Sequence, residues 1–146
     1  MLGASSGNPI SSTMQALSHQ LEADPSAAAA ARRAVRRLPL EADERFALDL
    51  LVSELVSNSV RHGELRRDDR IGLEVRLSDR ILRVEVIDPG RDGEPVPREP
   101  DPGGGWGLRL VATLANRWGV QRANRMAVWF ELDRGRLPLP GRGVLD

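Results

Sequence analysis

The chain has 146 residues, 40% of them hydrophobic, with 21 basic and 21 acidic side chains and no cysteine. That length suits one compact domain of ~100–150 residues, and the balanced charge lacks the basic field that nucleic-acid binding depends on. Without cysteine there is no disulfide framework, thiolate metal site or cysteine nucleophile.

Every basic residue is an arginine. With no lysine there is no P-loop, whose Gly-x-x-x-x-Gly-Lys pattern needs an ammonium near the phosphates. The aromatic residues are Phe46, Phe130, Trp106, Trp118 and Trp129, so the core must be mostly Leu, Val and Ala. No apolar run approaches the ~18 residues of a membrane span. Met1 to Pro9 lack the basic start and apolar stretch of a signal peptide. The chain reads as soluble and cytoplasmic, with neither nucleic acid nor membrane as a direct partner.

Residues 1–12 are rich in Gly, Ser, Asn and Pro and read as a disordered tail; residues 13–133 read as one domain and residues 134–146 as a loose tail. Met14 to Leu21 is read as an edge strand. Asp24-Pro25-Ser26 predicts a helix start, with Asp24 as N-cap and Pro25 at the first helical position. That helix is expected to run to Leu38, before Pro39. On it Arg32, Arg33, Arg36 and Arg37 share a face, which suits a solvated surface or a docking patch for an acidic partner.

A second helix is predicted over Asp43 to Arg61, with Gly63 as its C-cap. At 100° per residue, Ala47, Leu51 and Leu55 fall on the side of Glu54, Asn58 and His62. Phe46, Leu50, Val56 and Val60 occupy other sides, so the helix is expected to be buried along much of its length. Ile71 to Leu77 and Ile81 to Ile87 alternate and read as a β-hairpin turning at Ser78-Asp79-Arg80. Arg91 to Pro102, with four prolines, reads as a loop. A helix from Trp106 to Arg117 and a strand pair, Gln121 to Arg122 with Met126 to Leu132, complete the domain. The fold class is α+β, a two-layer sandwich with helices on one face of a mixed, mainly antiparallel sheet.

Three segments carry candidate chemistry. In Glu54-x-x-x-Asn58-x-x-x-His62, one helical turn separates each residue from the next. Asn58 offers Mg²⁺ an uncharged oxygen, and Glu54 can act as a general base; a polar pair satisfied within the protein fits the two residues equally well. His62 alone is more often a structural hydrogen-bonder. Asp88 ends the second hairpin strand and, as an ionised acceptor, can receive the exocyclic amino group of adenine. Gly90 leaves room beside the base, although a strand closing in an Asp-Pro-Gly turn is also common. Gly103, Gly104, Gly105 and Gly107 surround Trp106 and lead through Leu108 into a helix, where backbone N–H groups and the helix dipole favour phosphate.

In this order the three segments resemble the GHKL ATPases, with a Bergerat-type fold, and within them the anti-sigma-factor serine kinases. Glu54, Asn58 and His62 are similar to the family's N box, Asp88 and Gly90 to its G1 box, and Gly105-Trp106-Gly107-Leu108 to its G2 box. Leu114 to Val120 and Val128 to Leu132 are similar to its C-terminal stretch. The resemblance implies that ATP and Mg²⁺ bind, with Glu54 as base, Asn58 on the metal, Asp88 on adenine and Gly105 and Gly107 bordering the phosphates under a lid of about residues 91–104. It implies a STAS anti-anti-sigma protein phosphorylated on serine, a sequestered sigma factor, and a possible homodimer. Relatives carry Lys-Thr where this chain has Met126 and Ala127, which removes a polar contact near adenine. The alternative reading is a non-catalytic module that holds a sigma factor or STAS protein, with nucleotide structural or absent.

Overall fold

The computed structural model describes residues 14–62, 65–89, 106–122 and 125–135. Both tails, the cap at Gly63, the proline-rich loop and Gly90, Gly103, Gly104 and Gly105 lie outside the described residues. Strands β1 (Gln15–Glu22), β2 (Arg70–Leu77), β3 (Ile81–Asp88), β4 (Arg117–Arg122) and β5 (Met126–Asp133) form a sheet of order β1-β2-β3-β5-β4. All four pairings among the described residues are antiparallel. Helices α1 (Ala27–Val35), α2 (Ala42–His62) and α3 (Trp106–Leu114) make the second layer. Helix α2 touches both other helices and the central strand β3.

Alternation decides the layers. Leu82, Val84 and Val86 of β3 are buried, while Ile81, Arg83, Glu85 and Ile87 between them are only half-buried. Directly opposed residues share a face. The register therefore runs one apolar row across the whole sheet, through Leu17, Val75, Val84, Phe130 and Trp118. Phe130 at its centre is fully buried, and Ala47, Leu48, Leu51, Val52, Leu55 and Val56 of α2 close over that face.

The turns show where local chemistry moved the expected boundaries. Helix α1 starts at Ala27, not at Asp24, because the Asp24 carboxylate accepts the Ser26 amide at 2.8 Å and closes a tight turn first. It ends at Val35, followed by the short-range bonds Arg36 N–H to Arg33 O and Leu38 N–H to Val35 O. Arg45 of α2 caps this end, donating to the carbonyls of Val35, Arg36 and Leu38. Of the four arginines on α1, Arg33, Arg36 and Arg37 are solvated, whereas Arg32 donates to Ser53 Oγ at 2.8 Å. Phe46, expected within the helix packing, is 59% exposed. It lies one residue before the buried pair Ala47 and Leu48, on the side of α2 turned from the sheet.

Helix α3 ends at Leu114, short of Arg117, and β4 begins there. Strand pairing wins at this point. Asn116 N–H donates to Glu131 O, Asn116 Oδ1 accepts the Asp133 amide, and Arg117 pairs with Glu131 at 2.7 Å and with Asp133. On the same outer face Arg83 pairs with Glu131 at 2.9 Å and lies 4.4 Å from the centroid of Trp129.

Among the described residues, the ion pair of Glu44 with Arg134 has a buried carboxylate. Glu44, 3% exposed, receives Arg134 Nε at 3.1 Å and Nη2 at 3.2 Å, and its Oε1 also accepts the Glu41 amide at 2.9 Å. The same guanidinium donates to Ser78 O and Pro39 O, so one side chain ties β5, the hairpin turn and the start of α2 together.

Arg134→Ala strands the Glu44 carboxylate and is expected to destabilise the protein by about 3–5 kcal/mol in urea unfolding. A loss under ~1 kcal/mol, typical of a solvated pair, would show that the contact is not buried in solution. The Glu131 carboxyl is held below its usual range by the hydrogen bond from Arg117, against a smaller opposing effect of burial and aided by Arg83. Its stabilising contribution is therefore complete above the unfolded-state value of ~4.3 and is lost as pH falls below it. Glu131→Gln is expected to flatten the acid limb of stability below about pH 4.3, by under ~1 kcal/mol because the partners are partly exposed. Parallel acid limbs for the two proteins would locate the acid sensitivity elsewhere.

Candidate functional site

Helix α2 spans 21 residues from Ala42, and Glu44 and Arg45 near its start anchor it. Its buried stripe passes through Leu51, Leu55 and Val56, and Ser59 is buried as well. Glu54 and Asn58 flank that stripe, both half-buried and one turn apart. Side chains at this spacing are neighbours, with Cβ atoms ~6 Å apart.

The Asn58 carboxamide is oriented by its own helix. Arg61 Nη2 donates to Asn58 Oδ1 at 3.2 Å, and Arg61 is exposed. Sequence reading had not singled out Arg61; its signal was the i, i+3 spacing from Asn58. His62 closes α2, and its side chain lies outside the described residues.

Asp88 is the last residue of β3 and continues the row Leu82, Val84, Val86 onto the helix-covered face. It is 4% exposed, and its Oδ1 is wholly enclosed. A carboxylate at such depth is stable only where donors face it. Directly opposite, across the β3–β5 pairing, stands Met126, and opposite Ile87 stands Ala127. Since neighbours along a strand point to opposite faces, Met126 shares the face of Asp88 and Ala127 belongs to the outer face.

Helix α3 begins at Trp106, so Trp106, Gly107 and Leu108 supply its first turn. It lies against α2. A helix start presents backbone N–H groups that no intrahelical acceptor uses, with the positive end of the dipole. The structure thus brings Glu54 and Asn58 together on one helix, places Asp88 on the sheet face that helix covers, and starts a second helix beside it. Among the described residues no group of three or more His, Asp or Glu side chains converges as a metal cage, and no helix is long and apolar enough to cross a membrane.

A solved structure of the RsbU and RsbW domains of Rv1364c from Mycobacterium tuberculosis has the same fold, with a TM-score of 0.60 and 21% sequence identity over 84% of this chain. The chain covers 32% of that protein, about a third of its length. No curated protein sequence matches it. The histidine kinase-like ATPase domain matches residues 18–132. That span holds every candidate residue and all five strands bar the first three residues of β1 and the last of β5, and the chain accordingly belongs to the histidine kinase-like ATPase family, whose two-layer α+β domain binds ATP.

Proposed function

We propose that this protein is an Mg²⁺- and ATP-dependent serine kinase of the anti-sigma type, which phosphorylates a STAS anti-anti-sigma partner and otherwise holds a sigma factor. The observation that carries the reading is the burial of Asp88 at the inner end of the central strand. There an acceptor-only side chain meets the helix layer, where an adenine amino group can donate to it. The RsbW domain named in the similar structure supports the regulatory part of the reading.

The residues present fit both ligands. Asn58 Oδ1 is an uncharged oxygen at a half-exposed position, suited to Mg²⁺, which is usually shared between one or two protein groups and substrate phosphates. When bound, Mg²⁺ neutralises charge between phosphate oxygens. Arg61 Nη2 donates to the same Oδ1, so a bound metal would share that oxygen with the guanidinium or displace it. By the resemblance, Gly90 would lie beside the base and Gly103, Gly104, Gly105 and Gly107 beside the phosphates, with Trp106, Gly107 and Leu108 opening helix α3. His62, the last residue of the helix that carries Asn58, would join the nucleotide-binding set. Glu54, one turn before Asn58, orients the attacking serine hydroxyl and accepts its proton. The catalysis asked of the protein is then positioning and charge stabilisation, the usual demands of phosphoryl transfer.

Asp88→Asn keeps the shape but loses a charged acceptor, and is expected to lower ATP affinity roughly tenfold or more by calorimetry. Unchanged affinity removes Asp88 from the base site. Glu54→Gln should retain the fold and ATP affinity while transfer from labelled ATP to a purified STAS protein falls by ~10²–10⁴. Tight ATP binding by the wild type with no transfer to any STAS protein of the same genome would make the chain a binding module instead.

A further inference from the structure

We infer that the corner between the end of α1 and the start of α2 is where the STAS substrate docks, through an acidic segment that also carries an apolar side chain. The inference rests on the kinase reading above and deepens it with a surface outside the nucleotide site.

Helix geometry places this corner. Arg45 reaches the carbonyls of Val35, Arg36 and Leu38, so the last turn of α1 lies beside the first turns of α2. Phe46 follows Arg45 directly and is 59% exposed, more than any other large apolar side chain among the described residues. The ring does nothing for the core, which Ala47 and Leu48 fill at this level. Phe46 stands about 80° around α2 from Glu54 and ~12 Å before it along the axis. Leu50, half-buried, lies midway. Phe46, Leu50 and Glu54 therefore follow one i, i+4 ridge of the helix.

The flank of this ridge is basic. Arg33, Arg36 and Arg37 are exposed, and their side chains enter no hydrogen bond or ion pair among the described residues. Arg32, by contrast, is used on Ser53. Glu41 is the single exposed carboxylate in residues 31–50, so the exposed charge of the corner is positive in a chain of zero net charge. Such local segregation attracts a partner of opposite sign.

A partner whose serine reaches Glu54 must also cover neighbouring parts of α2. An ordinary interface takes ~800 Å² from each protein, a disc of about 16 Å radius, so Phe46 falls inside a footprint centred on Glu54. An exposed aromatic ring bordered by arginines has the residue types that interfaces favour. Carboxylates on the partner pair with the guanidinium forks, and an apolar side chain takes the Phe46 ring out of water. Arg45 and Glu44 clamp this end of α2. The anchor and Glu54 thus ride on one fixed helix, and docking at Phe46 sets how far the partner's serine lies from the base.

Fluorescence anisotropy with a labelled, purified STAS protein of the same genome tests this, beside steady-state transfer from labelled ATP. Phe46→Ala and the double variant Arg36→Glu with Arg37→Glu are each expected to raise the STAS dissociation constant and KM roughly tenfold or more. Both variants should keep kcat at saturating STAS protein, and ATP affinity by calorimetry, within about twofold of wild type. That split separates docking from damage to the site or the fold. Added salt should weaken wild-type binding and change the double variant less. STAS affinity within about twofold of wild type in both variants would overturn the assignment. So would self-association of the chain that sedimentation detects and Phe46→Ala abolishes, since the patch would then belong to a second copy. A wild type that binds the STAS protein without transfer ends the kinase reading alone, and the anisotropy series still decides the docking surface. A wild type that binds ATP but no STAS protein overturns both.

Discussion

A period of two in β3 governs the rest of the molecule. Leu82, Val84 and Val86 lie under the helices, and the same period delivers Asp88 to that face. A slip of one residue would expose the apolar row and turn Asp88 to solvent. The register resists such a slip because the row from Leu17 to Trp118 crosses all five strands and meets the buried stripe of α2. Holding the core together and placing a carboxylate beneath the helix layer are thus one constraint. A buried acceptor at the end of an otherwise apolar row costs stability unless a donor meets it.

Arginine carries the long-range ties. Arg45 reaches three carbonyls at the end of α1, and Arg134 joins β5 to Glu44, Ser78 and Pro39. A planar guanidinium with several fixed donors can bridge this many acceptors, whereas an ammonium on a flexible stem holds them less well. Both ties act at the start of α2. Asn58 lies 14 residues past Glu44 by number, a rise of ~21 Å along the axis. One end of the helix is clamped to the sheet's edge turns, and the other presents Glu54 and Asn58. A site built on a clamped helix and a central strand is better positioned than one built on loops.

Most of this architecture was legible in the sequence where periodicity is strong. The β2–β3 hairpin, the limits of α2 and the alternation that puts Asp88 inside followed from residue spacing alone. Boundaries failed where side chains reach across the fold. Asp24 spends its carboxylate on Ser26, so α1 starts later than its capping signal implied. Arg117 continues the helical pattern of α3, yet Glu131 and Asp133 draw it into β4. Those partners are 14 and 16 residues away, beyond any local signal. Phe46 failed for a different reason. A helix with apolar residues on several sides need not bury them all, and the sequence does not say which side meets the sheet. Arg61 and the separation of Met126 from Ala127 were legible in principle, through helix spacing and strand alternation.

Burial changes along the proposed nucleotide path in the direction phosphoryl transfer requires. Asp88 is 4% exposed, whereas Glu54 and Asn58 are half-buried. A base read by one carboxylate gains from dryness, because low dielectric strengthens a single charged hydrogen bond. The phosphate end cannot be equally closed. A protein hydroxyl from a partner must enter there, a hydrated metal must keep several waters, and a general base must lie within hydrogen-bond reach of the proton it takes. On this reading α2 solves both demands by its tilt of exposure: Leu51 and Leu55 face the sheet, and Glu54 and Asn58, offset by one residue from that stripe, stand at its margin. Shifting the acidic and amide positions onto the stripe itself would bury them without access to a partner. Shifting them to the far side would give access but remove them from the layer that holds Asp88.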